Sequence, residues 1–306
     1  MGATERANLA LLAPILGLSL LQFGLLPLLA GHDPVAEIVL LAAVLAATPL
    51  HWGLAHESFH GGFARDAGRN RLAGRVLAWF LFMSWDLIRF GHLMHHDANR
   101  HPFDRPEVVP EGGSRLGAVP AYFGKLLGGH AAISCVSALG VLAPERLTRR
   151  LIERAGGDPE LAKIRAAALR AFTAPERRRR IRGDLAVMAL LLVLALWAWG
   201  SAWPVFAASI AIRYLGLSLL DNAPHYGTAI DSGRAARNTT IPSAFRILVM
   251  NQNLHGVHHA LPELDWRELP QGFRQLDQRH DGSWFVQVLR QFRGPLRPSE
   301  LREIVP

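Results

Sequence analysis

From Ala7 to Gly31 the 306-residue chain carries no charged side chain, and its strongly polar groups there are Asn8, Ser19 and Gln22. A helix needs about 20 such residues to cross a hydrocarbon core of ~30 Å, so this run predicts a membrane span. A cleaved signal peptide is the alternative. The run exceeds a usual apolar signal region, and Leu28-Leu29-Ala30 lacks the small residue wanted before the cut. After the break Gly31-His32-Asp33-Pro34 a second run extends from Ile38 to about Ala55, so a helical hairpin over 7–55 is predicted. A third run, Leu185–Ile212, reads either as one tilted helix or as two short ones turning at Gly200-Ser201-Ala202-Trp203-Pro204. The stretch from Leu116 to Pro144 is apolar but carries Lys125 and His130. It reads better as an interfacial or re-entrant helix than as a span.

Half of the residues are hydrophobic, which excludes disorder. One cysteine, Cys135, excludes a disulfide framework and any cysteine-based zinc or iron–sulfur site. The net charge is +8, and of the 33 basic residues only Lys125 and Lys163 are lysine. This charge flanks apolar runs, which argues for membrane-facing loops and against nucleic acid. The segment 56–183 holds 21 Lys and Arg, whereas 31–37 and 200–204 hold none. Positive-inside orientation then puts the termini and 56–183 in the cytoplasm, in a bacterial inner membrane. Segment 145–183 is expected to be an exposed helical excursion broken at Pro159 and Pro175, with Arg177–Arg180 anchoring on anionic lipid or, as the second reading, docking a donor protein. No linker or internal repeat divides the chain, so one domain is expected.

Fourteen histidines stand against three tyrosines. Eight fall in three clusters: His56-Glu57-Ser58-Phe59-His60, His92-Leu93-Met94-His95-His96 and His255-Gly256-Val257-His258-His259. On a helix, residues three and four apart share a face, so each cluster projects two or three imidazoles one way. Imidazole suits iron, zinc, copper and nickel, and eight converging rings suit a polynuclear centre. All eight must lie on one side of the membrane to share that centre. This favours the helix pair for the third run and gives a second hairpin over 184–220, ahead of a cytoplasmic C-terminal region, 221–306. Arg213 is then expected to snorkel at the cytoplasmic end.

The three boxes resemble those of the integral-membrane fatty acid desaturase and hydroxylase superfamily. Asn251-Gln252-Asn253-Leu254-His255 with Pro262 and Trp266-Arg267-Glu268-Leu269-Pro270 is similar to the surroundings of that family's third box, and Gly61-Gly62 to the residues just after its first. Asp221-Asn222-Ala223-Pro224-His225 resembles the place where the family supplies a ninth histidine, His225, with a nearby asparagine, Asn222, able to orient a metal-bound water. The resemblance implies an all-α fold of four transmembrane helices in two hairpins under a cytoplasmic histidine cap. It implies two iron ions held by the nine histidines, O2 as co-substrate, and a fatty acyl substrate, acyl-lipid or acyl-thioester, in which a double bond is introduced. Hydroxylation or ketolation of a carotenoid, alkane or other lipid is the alternative within the superfamily. No electron-transfer segment is fused to the chain, so a separate ferredoxin-, rubredoxin- or cytochrome-type donor with its reductase is expected.

His56-Glu57-Ser58-Phe59-His60 also fits the zinc-protease pattern H-E-x-x-H. That reading leaves most of the boxed histidines idle, and a non-catalytic metal binder is the remaining class. In the preferred reading Glu57 is either a helix-surface carboxylate or one that orients a ligand imidazole. Asp86, Arg89, Asp104 and Glu107 are candidates for support around box two or for contacts with the electron donor, with structural pairing as the alternative. His32, His51, His101, His130 and His280 are expected to be solvated or hydrogen-bonded instead of ligating.

Overall fold

The computed structural model describes residues 1–30, 32–154, 161–230 and 236–302, so Pro159 lies outside the described residues. Apart from isolated bridges its regular structure is helical. Helix α1 runs over Ala3–Leu29, loosened by a π-turn at Leu21–Leu25 ahead of Pro27. Asp33 starts α2 (Pro34–Ala46) by accepting a hydrogen bond from the Ala36 amide at 3.0 Å. After one turn residue, α3 (Thr48–His60) carries the first box on its last turns and stops at Gly61, whose φ of +86° costs a glycine nothing.

Helices α4 (Ala67–Phe80) and α5 (Trp85–Asp97) meet at 101°, and the second box lies on α5. Then come α6 (Arg115–Leu142), α7 (Glu145–Arg154), α8 (Ala162–Thr173), α9 (Pro175–Trp199) and α10 (Trp203–Asn222). Pro175 opens α9 and Pro204 opens α10, positions where a missing N–H costs nothing. Arg177–Arg182 thus form the first turns of the third apolar helix, not the end of a separate excursion. The third box sits on the short α11 (His255–Ala260), followed by α12 (Leu269–Gln275) and α13 (Trp284–Arg290).

Four helical runs are long and apolar enough to cross a membrane: 3–29, 34–60, 115–142 and 175–222. The number four agrees with the sequence reading, but the membership differs. Helix α6 passes the test despite Lys125 and His130, and 175–222 counts once although Gly200, at φ +48°, separates two helices. Contacts add what length cannot. Asp184, early in α9, accepts from Trp79 and Ser84, while Arg213, late in α10, donates to the Phe80 carbonyl. Both arms of 175–222 therefore reach the same corner, where α4 ends and the chain turns into α5. At one end of α6, Tyr122 donates to the Gln291 carbonyl; at the other, Val141 packs on Leu87 and Ile181 beside the box-two helix. Leu190, Val193, Leu194 and Trp197 on α9 are exposed, as are Ile133, Val136 and Leu139 on α6. These are the faces an apolar solvent must cover.

Arg213 does not snorkel. It is buried, and its guanidinium hydrogen-bonds Gln22 Oε1 at 2.9 Å, His51 Nδ1 at 2.8 Å and Thr48 Oγ1 at 3.3 Å. Several uncharged polar groups turned inward from α1 and α3 solvate it in place of water. His51 is thereby a structural residue, bonded also to the Leu77 backbone carbonyl at 2.9 Å.

Candidate metal centre

Each box reaches the centre for a local reason. On α3 and α5 the i, i+3 and i+4 spacings stack imidazoles on one face. On α11, Gly256 lets the helix pass against the 236–238 segment: a Cβ there would stand 2.7 Å from the Ala236 carbonyl oxygen. Asn238 Oδ1 accepts from the Val257 amide at 3.1 Å and fixes that approach. His225 lies just beyond the last turn of α10, where Pro224 ends the helix.

The ligand nitrogens converge into two groups, His56, His60, His92 and His258, and His95, His225, His255 and His259, with the atoms of each group within 4.8 Å of one another. His96 joins the first group, its Nε2 lying 3.1 Å from both His92 Nε2 and His258 Nε2. His60 Nε2 is 2.7 Å from His92 Nε2, and His95 Nε2 is 3.1 Å from His225 Nε2. Two imidazoles at right angles on one metal, with bonds of about 2.0–2.1 Å, stand ~3 Å apart, which is this spacing. His56 Nε2 and His259 Nε2 are buried without a hydrogen-bond partner. One such orphan nitrogen in each group, without a partner among the described residues, fits a cation at each of the two points of convergence. Burial, and after it the neighbouring imidazoles, holds His258 and His259 well below the usual histidine range. Burial likewise takes His255 down to about 4, so these rings stay neutral with lone pairs free.

All nine sequence-predicted ligands are thus brought together, five and four. His32 is exposed, His130 faces Asp221 at 3.4 Å, and His280 stacks on Phe273 with centroids 4.6 Å apart; none joins either group. Asp104 accepts from His95 Nδ1 at 2.9 Å, the supporting role open to it from sequence. Asp86 and Glu107 instead take structural roles, with Arg180 at 3.0 Å and Arg100 at 2.6 Å, and Arg89 donates to the Phe59 carbonyl.

Glu57 corrects an expectation. It is buried instead of lying on a helix surface, no hydrogen bond joins it to an imidazole among the described residues, and its carboxylate accepts from the Trp266 amide at 3.4 Å beside Gly62. One residue on from His56, it points about 100° away from the ligand face. This geometry also removes it from the position a zinc-protease base requires. Two supporting residues escape a reading of the sequence alone. Gln252 bonds His56 Nδ1 at 3.3 Å and His255 Nδ1 at 3.2 Å, linking the two groups, and Asn99 Nδ2 lies 3.4 Å from His95, His225 and His259. Gln252 stands in the segment similar to the family's third-box surroundings and Asn99 four residues after His95, but both lie outside the helices and neither pattern names its imidazole partners.

Next to the imidazoles lies a cavity of about 160 Å³ touching His92, His95, His225, Asn222 and Lys125. It shares Leu87, Ile88 and Ile133 with an apolar cavity of about 450 Å³ between α6, α9 and α10. Asn222, the last residue of α10, donates to the Ser218 carbonyl at 2.7 Å, and its Oδ1 takes no hydrogen bond among the described residues.

No curated protein matches the chain. A family profile does, that of the fatty acid desaturases, over residues 35–287, a span that includes all nine converging histidines. The chain belongs to the fatty acid desaturase family.

Proposed function

We propose that the protein is an O2-dependent, non-haem diiron membrane oxygenase that introduces a double bond into an acyl chain. The observation that carries this reading is the pair of all-histidine nitrogen groups bordering a cavity that shares lining residues with a neighbouring apolar one. His56, His60, His92, His96 and His258 would hold one iron, and His95, His225, His255 and His259 the other. Two irons bound there supply the O2 chemistry that breaks an unactivated C–H bond. In the net reaction two hydrogens leave adjacent methylenes, and two electrons from a separate donor protein, with two protons, complete the reduction of O2 to two waters. The imidazole set suits a pair of transition-metal ions and exceeds the ligand number of a structural zinc.

The chain's own residues set the geometry. Asp104 fixes the tautomer of His95, and Gln252 holds His56 and His255 at fixed rotation. Asn222 anchors its amide nitrogen on Ser218 and presents its oxygen as an acceptor for water beside His225. The apolar cavity takes the alkyl tail and keeps bulk water from the reacting carbons. In the membrane, α1, α2 with α3, α9 and α10 cross as two hairpins. Helix α6 lies along the interface, supported by the contacts of both its ends with the region around the boxes. The histidine layer then faces the cytoplasm.

Metal analysis of the purified protein, together with lipid analysis after expression in a host of simple fatty acid composition, tests the reading. About two irons per chain and a new unsaturated acyl chain are expected. A single zinc per chain with full activity would overturn it, and a hydroxylated or keto lipid would move it to oxygenation.

A further inference from the structure

The cavity beside the histidines is bordered by three carboxylates, and each has a partner. Asp104 faces His95 at 2.9 Å, Glu107 faces Arg100 at 2.6 Å, and Asp221 faces His130 at 3.4 Å. Lys125 borders the same cavity, and among the described residues no hydrogen bond or ion pair engages its ammonium. It is the single charged residue between Leu116 and Leu142, in a chain whose other basic residues are arginine except Lys163. An ammonium on an apolar, membrane-facing helix is costly unless water or an anion meets it. Gly129, one turn on, is buried, and a Cβ there would stand 3.2 Å from Lys125 Cγ. The glycine leaves room for the lysine stem along the cavity wall.

We propose that Lys125 binds the carboxylate of a free long-chain fatty acid, whose tail lies in the adjoining apolar cavity. The inference rests on the reading above that an acyl chain is the substrate. The cavity of about 160 Å³ beside the ammonium admits a carboxylate and a few methylenes. An ester or thioester carbonyl carries no charge for the ammonium to meet. The apolar cavity shares Leu87, Ile88 and Ile133 with this one, so a tail placed there puts the carbons nearest the carboxyl end beside His92, His95 and His225.

Binding to the full-length protein in lipid nanodiscs tests this without turnover, in metal-loaded and metal-free protein alike. The probes are a long-chain fatty acid, its methyl ester and an alkyl phosphate of equal length. The acid is expected to bind about tenfold tighter than the ester. Lys125→Met removes that difference with the ester affinity unchanged, and Lys125→Arg keeps it. Equal affinity of acid and ester for the wild type overturns the proposal. So does an equal loss of both in Lys125→Met, which marks a packing role, or an alkyl phosphate that outcompetes the acid. If the acid binds through Lys125 while no acyl chain is oxidised in cells, the site stands and the functional reading falls. Oxidation of an ester-linked chain with no preference for the acid overturns the inference and leaves the functional reading intact.

Discussion

His96 touches both halves of the centre: its Nε2 lies 3.1 Å from His92 and His258 of one group, and its ring stacks on His259 of the other with centroids 4.2 Å apart. Replacing it with alanine is expected to lower the metal content of one site and loosen the second. Metal analysis distinguishes this from loss at an isolated ligand. Asp104 acts at one remove, through the Nδ1–H of His95. Asp104→Asn is expected to weaken metal binding about 10–100-fold at near-normal thermal stability, read by chelator competition. Asn222→Ala separates two roles compatible with its bond to Ser218. Severe loss of turnover at near-normal iron loading is expected if it positions water. Unchanged turnover with lower thermal stability would leave only the helix-terminating role.

Among the helices, backbone approach and buried polarity matter more than helix propensity. Gly256→Ala drives a Cβ to 2.7 Å from a backbone carbonyl, which cannot yield as a flexible side chain does. It is expected to cost about 1–3 kcal/mol and to reduce metal loading although no ligand changes. Gly216→Ala on α10 meets nothing within 4 Å and is expected to be neutral or stabilising by up to about 1 kcal/mol. Paired thermal melts and metal assays check the contrast. Arg213 ties α10 to α1 through Gln22 and to α3 through Thr48 and His51. Arg213→Ala strands those buried groups and is expected to cost about 3 kcal/mol, seen as a lower melting temperature in nanodiscs.

Across the molecule as a whole, the arrangement predicts which face meets which compartment. Cys135 is the single native thiol, so Cys135→Ser gives a clean background for topology mapping. In that background His32→Cys is expected to react with an impermeant reagent in intact cells, and Arg179→Cys only after permeabilisation. Labelling of both in intact cells would break the single-sided layer that one shared centre requires.

The helical class, the apolar runs and the histidines that converge were legible in the chain before any contact between its elements was known. Uncharged runs the length of a bilayer admit few structures but helices, and helical spacing of imidazoles in three boxes announces a shared centre. His225 was legible only through resemblance, since a lone histidine after a helix carries no periodic signal. The remaining features came from packing, because they depend on contacts between residues far apart in the chain. The division of the nine histidines into five and four is set by the crossing of α3, α5 and α11 and by the turn after α10. The burial of Arg213 is set by Gln22 on another helix, and hydropathy along one segment cannot register a partner 191 residues away. Glu57, adjacent to a ligand in sequence, was turned from the centre by the 100° step of the helix, while Gln252 entered it by packing. Local patterns are encoded in neighbouring residues; the final placement of side chains is a property of the packed whole.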